Sequence, residues 1–320
     1  VNYRRIHSTR RRVSEIGFGG WAIGGDRFEK AYGPSDDTIS RQAIRTALEL
    51  GINFFDTSDF FGRGHSEALI GSEVAAWDRR DDITIVTKGG INFYRSGEMP
   101  EIDLTPYAIA NAVEQSRARL RVDTIDLYLL MNPPIEILME NDRVWETLSA
   151  LRRAGKIAGF GVSVGDASEG VKLLKAGILL DALEVTYNLF YQTAALELLP
   201  LARRKRVAII AREPLANGFL AGDASSQTYA PTDHRSWALP EYLRELGNAY
   251  NKLQFLCGDT RTMAQAALRF VLDHPAVTVA IPGIRTPQQA AENAAASDQP
   301  PLTEEERTRM HSIFFPEDAP

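Results

Sequence analysis

The order of its apolar runs restricts this chain more than any other feature. From Val13 onward, short β-rich runs alternate with amphipathic stretches, and the alternation repeats eight times. The runs are Ser14 to Gly19, Asn53 to Thr57, Ile83 to Lys88, Ile125 to Met131, Gly159 to Val164, Ala182 to Tyr187, Val207 to Ala211 and Val277 to Ile281. Between them lie segments of helical spacing, among them Asp37 to Leu50, Ser66 to Trp77, Thr105 to Leu120, Asp142 to Ala154, Ala194 to Lys205 and Thr262 to His274. Several open on Asp, Ser or Thr, whose side-chain oxygens satisfy the first free N–H groups of a helix. Runs such as Ile83-Thr84-Ile85-Val86 are almost continuously apolar, which suits a parallel sheet whose outer side is covered by helices. Eight strand–helix repeats imply a closed α/β architecture, the (β/α)8 TIM barrel, as a single domain over residues 1–320. A long insertion at about 214–259 interrupts the pattern, with the small-residue stretch Gly218 to Thr232 followed by a helix-like segment from Pro240 to Leu256. Long loops after barrel strands usually border the active site.

Composition narrows the function classes. A net charge of −6 offers no basic face for nucleic acid. The short runs Arg10 to Arg12 and Arg203 to Arg206 read as solvated turns and helix ends. The single cysteine, Cys257, reads as a small apolar group, since one thiol makes neither an intramolecular disulfide nor a metal framework. The polar, basic start of the chain is not followed by an apolar core, and no run approaches the roughly 20 apolar residues of a membrane span. The expectation is a cytoplasmic protein that acts on a small molecule, with no nucleic-acid or membrane partner and no metal; oligomeric state is left open. The glycine runs Gly17-Phe18-Gly19-Gly20 and Gly24-Gly25 lack the spacing of a phosphate-binding loop and read as backbone turns.

In barrels of this kind chemistry sits at the C-terminal ends of the strands. Those ends carry Asp56, Lys88, Met131-Asn132, Ser163, Glu184, Tyr187-Asn188 and Arg212-Glu213. Asp56 and Lys88 end neighbouring strands and can meet as an ion pair, structural or catalytic. Trp21 and the loop through Phe28, together with Phe60, Phe61, Phe93 and Met131, would line an apolar, aromatic substrate pocket beside Asn132, or else anchor loops.

Here a resemblance becomes specific. Gly51-Ile52-Asn53-Phe54-Phe55-Asp56-Thr57-Ser58, continuing through Gly62-Arg63-Gly64-His65-Ser66-Glu67, resembles the segment around the catalytic Asp of the aldo-keto reductase family. Val86-Thr87-Lys88 resembles its lysine strand, Asp126-Leu127-Tyr128-Leu129-Leu130 the strand leading to its histidine, and Gly161-Val162-Ser163 the strand that contacts the nicotinamide amide. Tyr187-Asn188-Leu189, Pro214 through Leu220, and Ile281-Pro282-Gly283-Ile284-Arg285 extend the likeness over almost the whole chain. It implies an NADP(H)-binding oxidoreductase with cofactor contacts at Asp56, Ser163, Glu184, Arg212, Pro214, Leu215, Asn217, Gly218 and Leu220. The segment from Gly283 through Arg285, Gln289, Glu292 and Asn293 would wrap the 2′-phosphate, with Arg285 supplying charge.

The resemblance also implies a departure. The family's carbonyl chemistry uses Asp, Tyr, Lys and His; here the Tyr position falls on Phe61 and the His position on Met131. Phe has no proton to donate and a thioether is a weak acceptor. Glu184 stands where the family usually has Gln, Val164 where it often has Asn, and Arg212 where an aromatic often stacks on the nicotinamide. Tyr94, Tyr128 and His65 are candidates for a substitute acid, each also readable as packing or surface. Three readings follow: hydride transfer to a substrate that needs no strong acid, an imine or activated C=C; an NADP-binding sensor or partner without turnover; and alcohol oxidation, epimerisation or ordinary carbonyl reduction with a substitute group. In the oxidative variant, Lys88 would be the base if its pKa is lowered.

Overall fold

The computed structural model describes residues 1–27, 31–93, 101–222 and 228–315. Eight parallel strands lie side by side in chain order: Phe18–Gly19, Phe54–Asp56, Thr84–Gly89, Ile125–Met131, Ile157–Ser163, Ala182–Thr186, Ala208–Arg212 and Val277–Ile281. The ends of this sheet meet. Gly17 donates to the carbonyl of Ala280 at 2.8 Å, and Gly19 to that of Pro282 at 2.9 Å, closing the first strand onto the eighth. This seam explains the glycines that read as turns from sequence. A Cβ on Gly19 would lie 2.7 Å from the Pro282 carbonyl oxygen, and one on Gly17 would lie 2.9 Å from Ile281.

Strand periodicity sorts side chains into two cores. Phe54, Val86, Leu127, Leu129, Ala182, Ala208, Ile210, Val279 and Ile281 fill the barrel interior, while their outward neighbours join the helices in a larger outer core. The fifth strand packs so closely on the sixth that a Cβ on Gly161 would lie 2.0 Å from the Ala182 carbonyl oxygen. An antiparallel hairpin, Tyr3–Arg5 with Arg12–Ser14, plugs the N-terminal mouth by sending Ile6 and Val13 into the interior core. The hairpin corrects part of the basic-run reading. Arg11 is half-buried and ion-paired with the buried Asp126, whose other oxygen accepts from the Ile85 amide at 2.9 Å.

Thr105 and Thr262 cap Pro106–Leu120 and Met263–Asp273 as expected, whereas Asp36 rather than Asp37 caps Asp37–Glu49, Asn141 rather than Asp142 caps Asp142–Arg153, and His65–Ala75 starts after the left-handed Gly64 with no side-chain cap. The stretch from Ala194 to Lys205 is instead a short 3-10 turn, Thr193–Ala195, followed by the helix Leu198–Lys205. Pro200 accounts for this, because proline has no N–H to donate and is tolerated only in the first turn of a helix. The insertion after the seventh strand holds the turns Ala216–Gly218 and His234–Trp237 and the helix Pro240–Lys252. Among the described residues no helix is long and apolar enough to cross a membrane, and no cluster of side chains could hold a metal.

Candidate active site

The inward ladder that fills the barrel continues upward into polar groups. Two residues beyond Phe54, Val86, Leu129, Ala182 and Ile210 on the same strands come Asp56, Lys88, Met131, Glu184 and Arg212, so period-2 geometry delivers all five to the C-terminal mouth. They line a cavity of about 230 Å³ with Ser163, Trp21, Tyr32, Phe60, Phe61 and Asn132. A larger cleft of about 430 Å³ lies at the opposite end, beside Tyr3 and Arg10 to Arg12, where barrels do not place their chemistry.

Lys88 lies at the centre of the cavity floor, 1% exposed. Its Nζ donates to both oxygens of Asp56 at 2.6 Å and to the Thr57 carbonyl at 3.1 Å. Glu184 Oε2 is 3.1 Å from the same ammonium but not aligned for a hydrogen bond, and it is buried without a donor. Glu184 Oε1 accepts from Ser163 Oγ at 3.1 Å. Two carboxylates therefore share one ammonium away from water. Burial and the Glu184 charge lift the Asp56 carboxyl well above the usual carboxylate range, against the pull of Lys88. Burial alone would lower the Lys88 pKa, but Asp56 and Glu184 outweigh it and hold the ammonium above its ordinary value. A lysine with a lowered pKa, the condition for Lys88 as a base, is thus not what the barrel builds.

Apolar groups flank the ammonium. The Phe61 ring centre lies 5.4 Å from Lys88 Nζ, and Trp21 stacks on Phe61 at 6.1 Å. The Met131 thioether accepts a hydrogen bond from Ser58 Oγ at 3.4 Å, an ordinary length for sulfur. The insertion forms the roof: His234 donates its backbone N–H to the Ala31 carbonyl, and its ring packs 4.6 Å from Trp21 and 4.5 Å from Tyr32. Asp233 and Arg235 form a two-bond ion pair beneath it, and Arg235 covers the Tyr32 ring. Several residues of the loops around the mouth hold left-handed backbone, namely Asn132, Glu213, Ala216 and Asn217. Such strain outside glycine is typical of sites whose geometry is imposed from around them.

Not every expected residue reaches the cavity. Phe93 packs behind the wall, edge-on to Phe60 at 6.0 Å. Tyr128 is fully buried in the outer core. His65 pairs with Asp37 at 2.8 Å on the exposed end of a helix, away from the cavity. Tyr94 and Phe28 lie outside the described residues. Leu215 and Leu220 are buried, and Pro214 and Gly218 flank them in the turn above the seventh strand. Arg285 spends two guanidinium nitrogens on the carbonyls of Tyr32, at 2.7 Å, and Pro34, while its backbone N–H donates to Gln289 at 2.8 Å. Glu292 accepts from Thr262 at 2.8 Å, and Asn293 is buried. Tyr32 was missed from sequence: its hydroxyl donates to Asn217 Oδ1 at 2.9 Å. The only signal for it was its place in the loop after the first strand.

With the geometry established, comparison with known proteins is consistent with it. Residues 15–314 match the family model described as Aldo/keto reductase family. An uncharacterized oxidoreductase of Bacillus subtilis, YqkF, is 30% identical over 97% of this chain and 95% of its own length. The NADH-specific methylglyoxal reductase of Escherichia coli is 29% identical over 89% of this chain and 90% of its own. The glycerol dehydrogenase AKR11B4 from Gluconobacter oxydans superimposes with a TM-score of 0.84 at 26% identity, covering all of this chain and 97% of that one. The chain belongs to the aldo/keto reductase family, a family of nicotinamide-dependent oxidoreductases.

Proposed function

We propose that this protein transfers hydride from NADPH to a C=N substrate, an imine reduced as its iminium cation, rather than to an ordinary aldehyde or ketone. The observation that carries this reading is the pair of carboxylates, Asp56 and Glu184, on the single Lys88 ammonium, walled by Phe61 and Met131 where the family resemblance calls for Tyr and His. A bound nicotinamide supplies the hydride. The residues present fit its carboxamide: Asn132 and Ser163 offer a side-chain amide and a hydroxyl, and Glu184 Oε1, which already accepts from Ser163 Oγ, is a further acceptor beside them. Arg212, held by the Val164 carbonyl at 3.2 Å and with its Nε buried and unpartnered, would cover the ring.

The charge flow decides between substrates. Reducing a carbonyl puts negative charge on oxygen, which needs a proton donor nearby, and general acid catalysis is worth roughly 10²–10⁴-fold. Phe61 and Met131 offer no such proton. An iminium instead carries its positive charge into the cavity and creates no alkoxide, and the Asp56 and Glu184 carboxylates lining the cavity would favour that cation. Aromatic faces at Trp21, Tyr32, Phe60 and Phe61 add cation–π attraction. An activated C=C is the neighbouring possibility. Reassignment of the acid role to Tyr32 has its hydroxyl in the cavity in its favour. Burial and the charges of Glu213 and Asp233, however, push that phenol well above its ordinary pKa, making it a poor proton donor.

The test is fluorescence titration with NADPH and NADH, followed by turnover assays with cyclic imines, simple aldehydes and alcohols. Tight NADPH binding with imine turnover and negligible aldehyde turnover is expected. Aldehyde turnover equal to imine turnover would remove the argument from Phe61 and Met131. Tight binding without any turnover would support a cofactor-binding partner protein instead, and absent binding would overturn the cofactor assignment.

A further inference from the structure

We infer that Asp56 and Glu184, held over Lys88 with one proton between them, are the acid that turns a neutral imine into the iminium within the cavity; this rests on the hydride-transfer reading above. The geometry begins with charge counting. Asp56, Glu184 and Lys88 are each at least 96% buried in side-chain terms, and two carboxylates on one ammonium leave a buried excess of one negative charge. An uncompensated buried charge is costly, and like carboxylates at close quarters relieve that cost by keeping one proton. The other charged groups on the cavity wall do not neutralise the excess. Arg212 is committed to the Val164 carbonyl and lies 3.7 Å from Glu213, which already balances its charge. Ser163 contributes only a neutral hydroxyl donor to Glu184. Tyr32 is tied to Asn217 and carries no charge to offset.

The position of the proton fits the chemistry. Asp56 has both oxygens on Lys88, whereas Glu184 Oε2 lacks a hydrogen-bond donor in a cavity that it lines. Both carboxylates contact the same Lys88 Nζ, at 2.6 and 3.1 Å, and burial together with the Glu184 charge lifts the Asp56 carboxyl in the direction this sharing requires. When a neutral imine enters, the carboxyl O–H bond breaks and an N–H bond forms, leaving an iminium that offsets the pair's negative charge; the same proton given to a carbonyl oxygen would leave that buried charge with no cation beside it. A bound reduced nicotinamide would supply the hydride for the new C–H bond and the two electrons of the reduction, and the C=N π pair becomes the amine lone pair. The carboxyl pair regains its proton from solvent after the amine leaves.

Two substrates separate this proposal from the reading beneath it: a weakly basic cyclic imine that stays unprotonated across neutral pH, and the N-methylated, permanently cationic form of the same ring. For the neutral imine, kcat/KM should fall by about tenfold per pH unit above one apparent pKa. For the N-methyl iminium it should hold steady or rise, since the deprotonated pair attracts a cation. Glu184→Gln should lower neutral-imine turnover by about 10²-fold and abolish the contrast between the two pH profiles. Identical profiles in the unaltered protein, or a contrast that survives Glu184→Gln, would overturn the shared-proton acid while leaving hydride transfer to C=N intact. Turnover of neither substrate would overturn both. An infrared titration of the cofactor-free protein gives a readout independent of turnover. A protonated-carboxyl C=O band should persist at neutral pH in an Asp59→Asn background and disappear when Glu184→Gln is added; its absence from the background variant would refute the proposal. The Asp59→Asn background is needed because burial and Glu67 also lift the Asp59 carboxyl.

Discussion

Phe61→Tyr most directly tests why ordinary carbonyl reduction should be slow here. The Phe61 ring centre is 5.4 Å from Lys88 Nζ. At that separation and an effective dielectric near 20, the ammonium favours a phenolate by about 3 kcal/mol, equivalent to lowering a phenol's pKa by about 2 units. Asp56 and Glu184 oppose part of that field, since both sit on the same ammonium. A new phenol would thus be a modestly activated acid. General acid catalysis contributes roughly 10²–10⁴-fold, or about 3–5 kcal/mol, and the lower end is expected while Met131 cannot orient a carbonyl. Phe61→Tyr should therefore raise aldehyde kcat/KM by about a hundredfold, and Met131→His added to it should raise it further. The assay follows loss of reduced-cofactor absorbance with a small aldehyde, alongside NADPH binding to show that the cofactor site is unchanged. If the unaltered protein already reduces the aldehyde as fast as Phe61→Tyr does, the account of the missing acid is wrong.

Three further outcomes are expected. Arg285→Ala should weaken NADPH binding about ten- to hundredfold while changing NADH much less, because a charge-assisted contact to a 2′-phosphate is worth about 1.5–3 kcal/mol; both cofactors lose the anchors on the Tyr32 and Pro34 carbonyls equally, so the ratio of dissociation constants isolates the phosphate. Asp59→Asn should stabilise the protein at neutral and alkaline pH: burial first, then Glu67, raise the folded-state pKa above the unfolded one, so the folded state holds the extra proton. Stability then falls as pH rises from the unfolded pKa to the folded pKa, by up to about 1.4 kcal/mol per pH unit, and denaturant titrations across pH should show that slope reduced in the variant. Gly161→Ala should cost about 3 kcal/mol or prevent folding, since its Cβ would fall 2.0 Å from the Ala182 carbonyl oxygen, and a denaturation midpoint near that of the unaltered protein would contradict the strand spacing.

The barrel was legible because it depends on periodicity, which local sequence carries. Each of the eight apolar runs became a strand within a residue or two, apart from the first, where only Phe18–Gly19 of Ser14 to Gly19 pairs in the main sheet. The Asp56–Lys88 meeting was legible for the same reason, as both close neighbouring strands with inward parity. What lay beyond sequence were contacts made across long separations. The glycines of the seam looked like turns because nothing local shows that residue 19 must touch residue 282. Tyr32 and His234 are some two hundred positions apart, and only the folded insertion brings their rings to 4.5 Å. Sequence leaves the state of Lys88 open between an ion pair and a base of lowered pKa, because Glu184, two strands beyond the neighbouring strands of Lys88, adds its carboxylate only across the folded barrel mouth.

That second carboxylate also links the departures at the site. On the proposed reading, Phe61 and Met131 leave out groups that would stabilise a developing alkoxide, and the Asp56–Glu184 pair, once its shared proton is spent, adds a charge that would repel one. At about 4 Å and an effective dielectric near 20, such a repulsion is about 4 kcal/mol, comparable to the whole benefit of a general acid. Restoring the tyrosine alone therefore leaves half of the difference in place. The barrel mouth thus disfavours negative charge on substrate by two means that meet at one atom, and the carboxylate has the opposite sign for a cation. A combined Phe61→Tyr and Glu184→Gln variant should gain more aldehyde activity than the product of the single changes, because the new phenol and the old carboxylate act on the same atom.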